Sequence, residues 1–259
     1  MSTILAMGGG GFTMEPENPA LDHFLLTLVD RREPRVLFLP TASGDPGEQI
    51  ARFHAAFADR PCVPVHLSLF RLGSNPVDLR AHLLAQDIVY VGGGSMRNML
   101  AIWRAHELDV ILRECWEQGT VLAGLSAGAM CWFQGGITKS SGRPAPVEGL
   151  GLLPGSLSVH LDGEPERRRP YLDAVASGAL PEGWAADDGV GLLFEDRELV
   201  RVVGSKPGLH CIRVERDGDR ARVTEVEVES LRAHPQDFRR LDADVRELRS
   251  LRYRASAGR

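Results

Sequence analysis

A serine stands in the middle of Gly124-Leu125-Ser126-Ala127-Gly128, within an uncharged stretch that runs from Gln118 to Thr138. The spacing is G-x-S-x-G, and an apolar run precedes it while a helix-compatible segment follows, the setting in which a hydroxyl is presented as a nucleophile on a sharp turn. The two glycines make room where the chain folds back on itself, and the N–H of Ala127 falls where it can bind the oxyanion formed on an attacked carbonyl. A hydroxyl attacks poorly until a base takes its proton, so an imidazole and an orienting carboxylate have to lie nearby. Of the eight histidines, His23, His54, His82 and His106 fall in predicted helices, His66 in an early strand and His234 beside a C-terminal helix. His160 ends the apolar run of Leu157-Ser158-Val159 and opens a polar loop, the place a base needs. An imidazole base acts only when neutral, so a rate that depends on it falls in mild acid.

The same loop carries Asp162, Glu164 and Glu166. One histidine among loop carboxylates is a poor metal set, so no metal is expected. Two rival readings of the elbow stay open at this point. An α/β-hydrolase esterase would use His210 or His234 as its base, and a non-catalytic module would use the glycine turns to hold a small anion.

These residues need a scaffold that brings distant segments together. Short runs rich in Val, Ile and Leu recur at 3–8, 35–40, 62–68, 87–94 and 120–126, and the segments between them carry apolar residues at helical spacing. Strand and helix in alternation predict a mostly parallel sheet, buried on both faces, with helices on both sides. In such a sheet ligands bind at the carboxyl ends of the strands, and three glycine-rich turns fall at such ends, at 8–11, 92–95 and 124–128. Beyond residue 190 the pattern becomes strand after strand, with a hairpin turn at 216–219 and an arginine-rich amphipathic helix to finish. No repeat or linker interrupts the chain, so residues 1–259 are read as one α/β domain.

Composition narrows the partners. A net charge of -5 gives no broad attraction to nucleic acid. Only Lys139 and Lys206 are lysines, a bias that carries no functional meaning by itself. G-x-G-x-x-G started at Gly8 ends on Thr13, and no Walker lysine follows, so no nucleotide or other cofactor is expected. The four cysteines form no C-x-x-C pair and read as buried thiols. Glycines and polar residues within 118–138 argue for a strand and turn over a membrane span. A cytoplasmic protein follows, with a homodimer left open.

Four stretches taken in order, MGGGGFTMEPENPALDHFLL, YVGGGSMRNML, GLSAGAMCWF and VHLD, resemble the peptidase E and cyanophycinase family of serine peptidases, from residue 5 to about 195. The resemblance implies a class I glutamine amidotransferase-like fold, short peptides as substrates and a triad in the order Ser, His, acid. It assigns Ser126 as nucleophile and His160 as base, and it places the acid in Ala186-Asp187-Asp188-Gly189, with Asp188 the best match and Asp187 and Glu195 as neighbours. It pairs Gly93 or Gly94 with Ala127 as the oxyanion hole. Two departures bear on specificity: Ser95 stands where many relatives carry Asn, and Glu166 falls where the aspartyl dipeptidase branch has an arginine. Ser95, Asp162, Arg167, Arg168 and Arg169 are the candidate substrate contacts.

Overall fold

The computed structural model describes residues 1–231, so the expected terminal helix and His234 lie outside the described residues. Five parallel strands form one side of an eight-stranded sheet: β1 (Thr3–Met7), β2 (Arg35–Leu39), β3 (Val63–His66), β4 (Ile88–Val91) and β5 (Val121–Leu125). They lie in the order β1-β5-β4-β2-β3. Each apolar run is continuous because alternate residues serve different cores. Ile4, Ala6, Leu37, Leu39, Val89 and Leu122 face one apolar cluster, while Leu5, Met7, Val36, Phe38, Tyr90 and Ala123 face the other. Helices α1 (Gly11–Met14), α2 (Ala20–Thr27) and α3 (Gly47–Phe57) cover the second face with Phe12, Leu21, Phe24, Phe53 and Phe57. Helices α4 (Leu79–Leu84), α5 (Met96–Ala105) and α6 (Leu108–Glu117) cover the first with Leu83, Met99, Trp103, Leu112 and Trp116. The mostly parallel α/β architecture read from the sequence is the one observed.

Three details differ from the pattern. β3 is the open edge of the sheet, with Val63 exposed, so its run is not buried on both faces. The long helical stretch after Gly94 breaks at Glu107, whose φ of 55° lies in the left-handed region and ends one helix before the next begins. The C-terminal strands divide between two sheets. β10 (Val190–Glu195) and β11 (Glu198–Gly204) extend the main sheet antiparallel beside β1. β12 (Cys211–Asp217) and β13 (Arg220–Val226) form a hairpin in a second, six-stranded sheet together with β6 (Phe133–Thr138), β7 (Ala145–Glu148), β8 (Leu153–Ser158) and β9 (Gly183–Ala186). Helix α8 (Pro165–Ala176) lays Tyr171, Ala174 and Val175 against Ile137, Ala185 and Val214 of that sheet.

A buried polar cluster lies under the first glycine turn. Asp22 is 1% exposed, accepts from Tyr90 Oη at 3.2 Å, and has Arg60 at 3.7 Å. Burial, only partly offset by Arg60, pushes the Asp22 pKa up from 3.8 to about 6, and burial beside Arg60 pushes the His23 pKa down to about 4. The two act on stability with opposite signs. Folded Asp22 holds its proton to a higher pH than the unfolded chain does, so its contribution declines as pH rises from 4 to 6. Folded His23 refuses a proton that the unfolded chain accepts, so its contribution is complete above about pH 6.5 and is lost as pH falls toward 4. Asp22→Asn removes only the first effect. Urea denaturation of both proteins at pH 4.5 and 6.5 should show the variant gaining stability relative to wild type as pH rises, by at most about 3 kcal/mol. A pH-independent difference would count against the shift.

Candidate active site

Strand order explains why the site forms where it does. β1, β5 and β4 are neighbours, so the glycine-rich turns at their carboxyl ends converge on one edge of the sheet. β10 runs antiparallel to β1 with Gly191 opposite Met7, which brings the Asp187–Gly189 turn to the same edge. β8 lies in the second sheet beside β9 and leads through Val159 into His160.

At the end of β5 the chain turns through Ser126, with φ 54° and ψ −116°, into the short helix α7 (Ala127–Met130). That left-handed φ is uncommon for a residue with a side chain and marks the elbow as strained. A Cβ on Gly124 would stand 2.1 Å from the Gly128 carbonyl oxygen, and one on Gly128 would stand 2.5 Å from that of Val91. The small residues are thus required by the fold-back, and Ser126 is left half-buried at the surface of the turn.

Ser126 Oγ lies 2.8 Å from His160 Nε2, and His160 Nδ1 lies 2.5 Å from Asp188 Oδ1. His160 has φ 57°, and its loop is pinned by Leu161 N–H donating to Ala186 and Glu164 N–H donating to the His160 carbonyl. Asp188 is held in turn by its own N–H, which donates to Asp162 Oδ1 at 3.0 Å. Gly93 packs beside the elbow, where a Cβ would come 3.2 Å from that of Ser126. Gly92 and Ser95 give their N–H groups to Leu39 and Ala42, and among the described residues no acceptor takes those of Gly93 or Gly94. Two cavities, of about 450 and 320 Å³, flank the Ser126–His160 pair.

Several residues read as site candidates lie elsewhere or have other partners. Asp187 is buried and turned away: its Oδ2 accepts the His210 N–H at 2.7 Å, and burial raises its pKa. Glu195 pairs with Thr3 at the opposite end of β10, about 20 Å along the strand from the Asp188 turn. Arg168 and Arg169 are exposed, Arg169 nine-tenths so beside Asp173 in α8, because only one of three consecutive helical residues can face inward. Arg167 is that one; it is 5% exposed and bonds Glu164 and the Ile137 carbonyl. Ser95 lines the smaller cavity but also caps α5 by accepting from Asn98 N–H, and Asp162 braces Asp188. His210 is exposed and lines neither cavity. Among the described residues no group of three or more metal-ligating side chains exists.

Sequence reasoning missed six residues around the site. Gly9 lies against Asp188: a Cβ there would stand 1.9 Å from Asp188 Oδ1 and 3.1 Å from His160 Cε1. Lys139, with Ser140, lines the smaller cavity and bridges Glu164 and Glu166 at 3.2 and 2.7 Å. Thr13, Met14 and Gln49 line the larger cavity. Thr13 and Met14 had no sequence signal beyond following the first glycine turn, and Gln49, inside α3, had none. Gly9→Ala should therefore displace Asp188 from His160 and lower kcat/KM by about 100-fold, the usual result of an ångström-scale misplacement. Steady-state kinetics beside a thermal melt would check it, and unchanged kcat/KM would contradict the packing.

A parallel α/β sheet, an elbow serine within bonding distance of an imidazole and a carboxylate behind that imidazole define the layout of a serine hydrolase. The chain belongs to peptidase family S51, whose family model matches residues 4–202, and it is thus a serine peptidase. It is 48% identical over 214 residues to the uncharacterized peptidase YgaJ of Bacillus subtilis (strain 168), a match spanning 83% of this chain and 92% of that protein. Its fold is shared by a peptidase from an acI-B1 Actinobacterium (TM-score 0.62, 17% identity, 87% of this chain and 97% of that one). It is shared also by a peptidase E protein from Listeria monocytogenes EGD-e (TM-score 0.51, 15% identity, 88% of this chain and all of that one).

Proposed function

We propose that this peptidase is an exopeptidase of the dipeptidase type, which hydrolyses short peptides through an acyl-enzyme intermediate. The observation that carries the reading is the continuous relay from Ser126 Oγ through His160 to Asp188, lying between two cavities. Ser126 Oγ attacks the peptide carbonyl while His160 Nε2 takes its proton, and the N–H groups of Ala127 and of Gly93 or Gly94 receive the oxyanion. His160 then returns the proton to the leaving amine. Water, deprotonated by the same imidazole, attacks the acyl ester, and the imidazolium returns that proton to Ser126 Oγ as the ester bond breaks. Asp188 holds the ring in the tautomer that leaves Nε2 open and stabilises the imidazolium. None of these steps calls for a metal or cofactor. No described helix is long and apolar enough to cross a membrane, and four buried cysteines outside any disulfide suit the reducing cytoplasm, where we place the protein.

A library of dipeptides and longer peptides with varied first residues tests this. Release of free amino acids from the shortest members, absent in Ser126→Ala, is the expected result; internal cleavage of long peptides with dipeptides untouched would overturn it.

A further inference from the structure

Four residues line both cavities: Gly94, Ser126, His160 and Glu164. Three of them already belong to the proposed reaction, and Glu164 does not. Its backbone is tied to the base, with its N–H donating to the His160 carbonyl at 2.8 Å, so it sits one turn of chain from the imidazole. Its side chain uses one oxygen for all its partners. Oε2 accepts from Arg167 Nε and Nη2 at 3.2 and 2.7 Å and lies 3.2 Å from Lys139 Nζ. Oε1 has no donor among the described residues, and the side chain is 29% exposed.

The charges around it are already matched. Arg167 also donates from Nη1 to the Ile137 carbonyl, and Lys139 is shared with Glu166. Burial opposes the Glu164 charge, but Arg167 and Lys139 outweigh it and hold its pKa below the usual carboxylate range. What the cluster offers an incoming molecule is therefore an ionised acceptor rather than a free cation.

The covalent geometry of a peptide says which cation fits. The nitrogen of the residue whose carbonyl is attacked lies about 2.5 Å from that carbonyl carbon, which itself approaches the nucleophile to about 3–3.5 Å. An acceptor that lines both cavities with Ser126 and His160 is on the scale needed to bond that nitrogen when it is a free ammonium. We propose that Glu164 binds the N-terminal ammonium of the peptide, so that the residue held on the acyl side is the first of its chain. The proposal rests on the peptidase reading of the Ser126–His160 pair.

The test compares the dipeptide that the library ranks first, in free and N-acetylated form, on the wild type, Glu164→Gln and Glu164→Asp, with fluorophosphonate labelling of Ser126 in each protein. The wild type should favour the free peptide in kcat/KM by roughly 10- to 100-fold, the worth of a charge-assisted hydrogen bond. Glu164→Gln should bring that ratio within a few-fold of one through a loss on the free peptide alone, and Glu164→Asp should give an intermediate ratio. Labelling should persist in both variants. Equal cleavage of the two peptides by the wild type overturns the proposal, as does a ratio unchanged in Glu164→Gln. If that variant fails to fold because Arg167 is left unmatched, the wild-type and Glu164→Asp ratios decide. Absence of both labelling and cleavage in the wild type would instead remove the peptidase mechanism, and this assignment with it.

Discussion

Ser126→Ala is expected to lower kcat by roughly 10,000- to 1,000,000-fold while leaving a small residual rate from the oxyanion donors and substrate binding. The loss is that large because no neighbouring nucleophile can take over. Cys131 lies in the buried core with its Sγ bonded to the Gly128 carbonyl at 3.2 Å, and burial raises its thiol pKa well above the ordinary range. Ser95 caps a helix, and Thr138 and Ser140 bond each other. The fold should survive, since the elbow is held by its backbone: Ser126 N–H donates to Met7, and its carbonyl accepts from Ala129 and Met130, all at 3.0 Å. The serine side chain gives up only its bond to His160. Stopped or steady-state kinetics on the preferred dipeptide, beside a thermal melt that moves by no more than a few degrees, would check both halves of the expectation.

The second large effect separates two adjacent carboxylates. Asp188→Asn should lower kcat by about 10,000-fold, because an amide turned toward Nδ1 favours the tautomer with its proton on Nε2, which cannot accept from Ser126. The backbone bond of residue 188 to Asp162 is untouched, so the damage should fall on turnover rather than on folding. Asp187→Asn should leave kcat within a few-fold. Its amide oxygen can still accept the His210 N–H, and neither cavity is lined by residue 187. Measuring kcat for the pair settles which residue orients the imidazole. A large loss in Asp187→Asn with a small one in Asp188→Asn would reverse the assignment.

The sequence showed the elbow and the central strands clearly because both depend on local demands. A parallel strand buried on two faces has to be apolar throughout, and a fold-back at Ser126 has to be flanked by glycine. The second sheet was harder to read. FQGGIT, APVE, LPGSLS and GWAA mix glycine and proline with few β-branched residues, so their strand signal is weak and their pairing comes from tertiary contacts. Gly9 had a reason for being glycine that lies 179 positions away, at Asp188. The arginine run looked like three equivalent charges until helix α8 turned one inward and two outward, and the inward one was already matched by Glu164. Glu164 itself gave no signal beyond its place in the His160 loop. A carboxylate that faces a cavity and one that faces solvent are the same letter.

The most direct measurement is fluorophosphonate labelling of the intact protein, followed by peptide mapping of the adduct, in the wild type and in His160→Ala. A relay from Ser126 to His160 predicts one adduct, on Ser126, that forms readily in the wild type and only very slowly without the imidazole. An adduct on another hydroxyl, no adduct at all, or undiminished labelling in His160→Ala would contradict it.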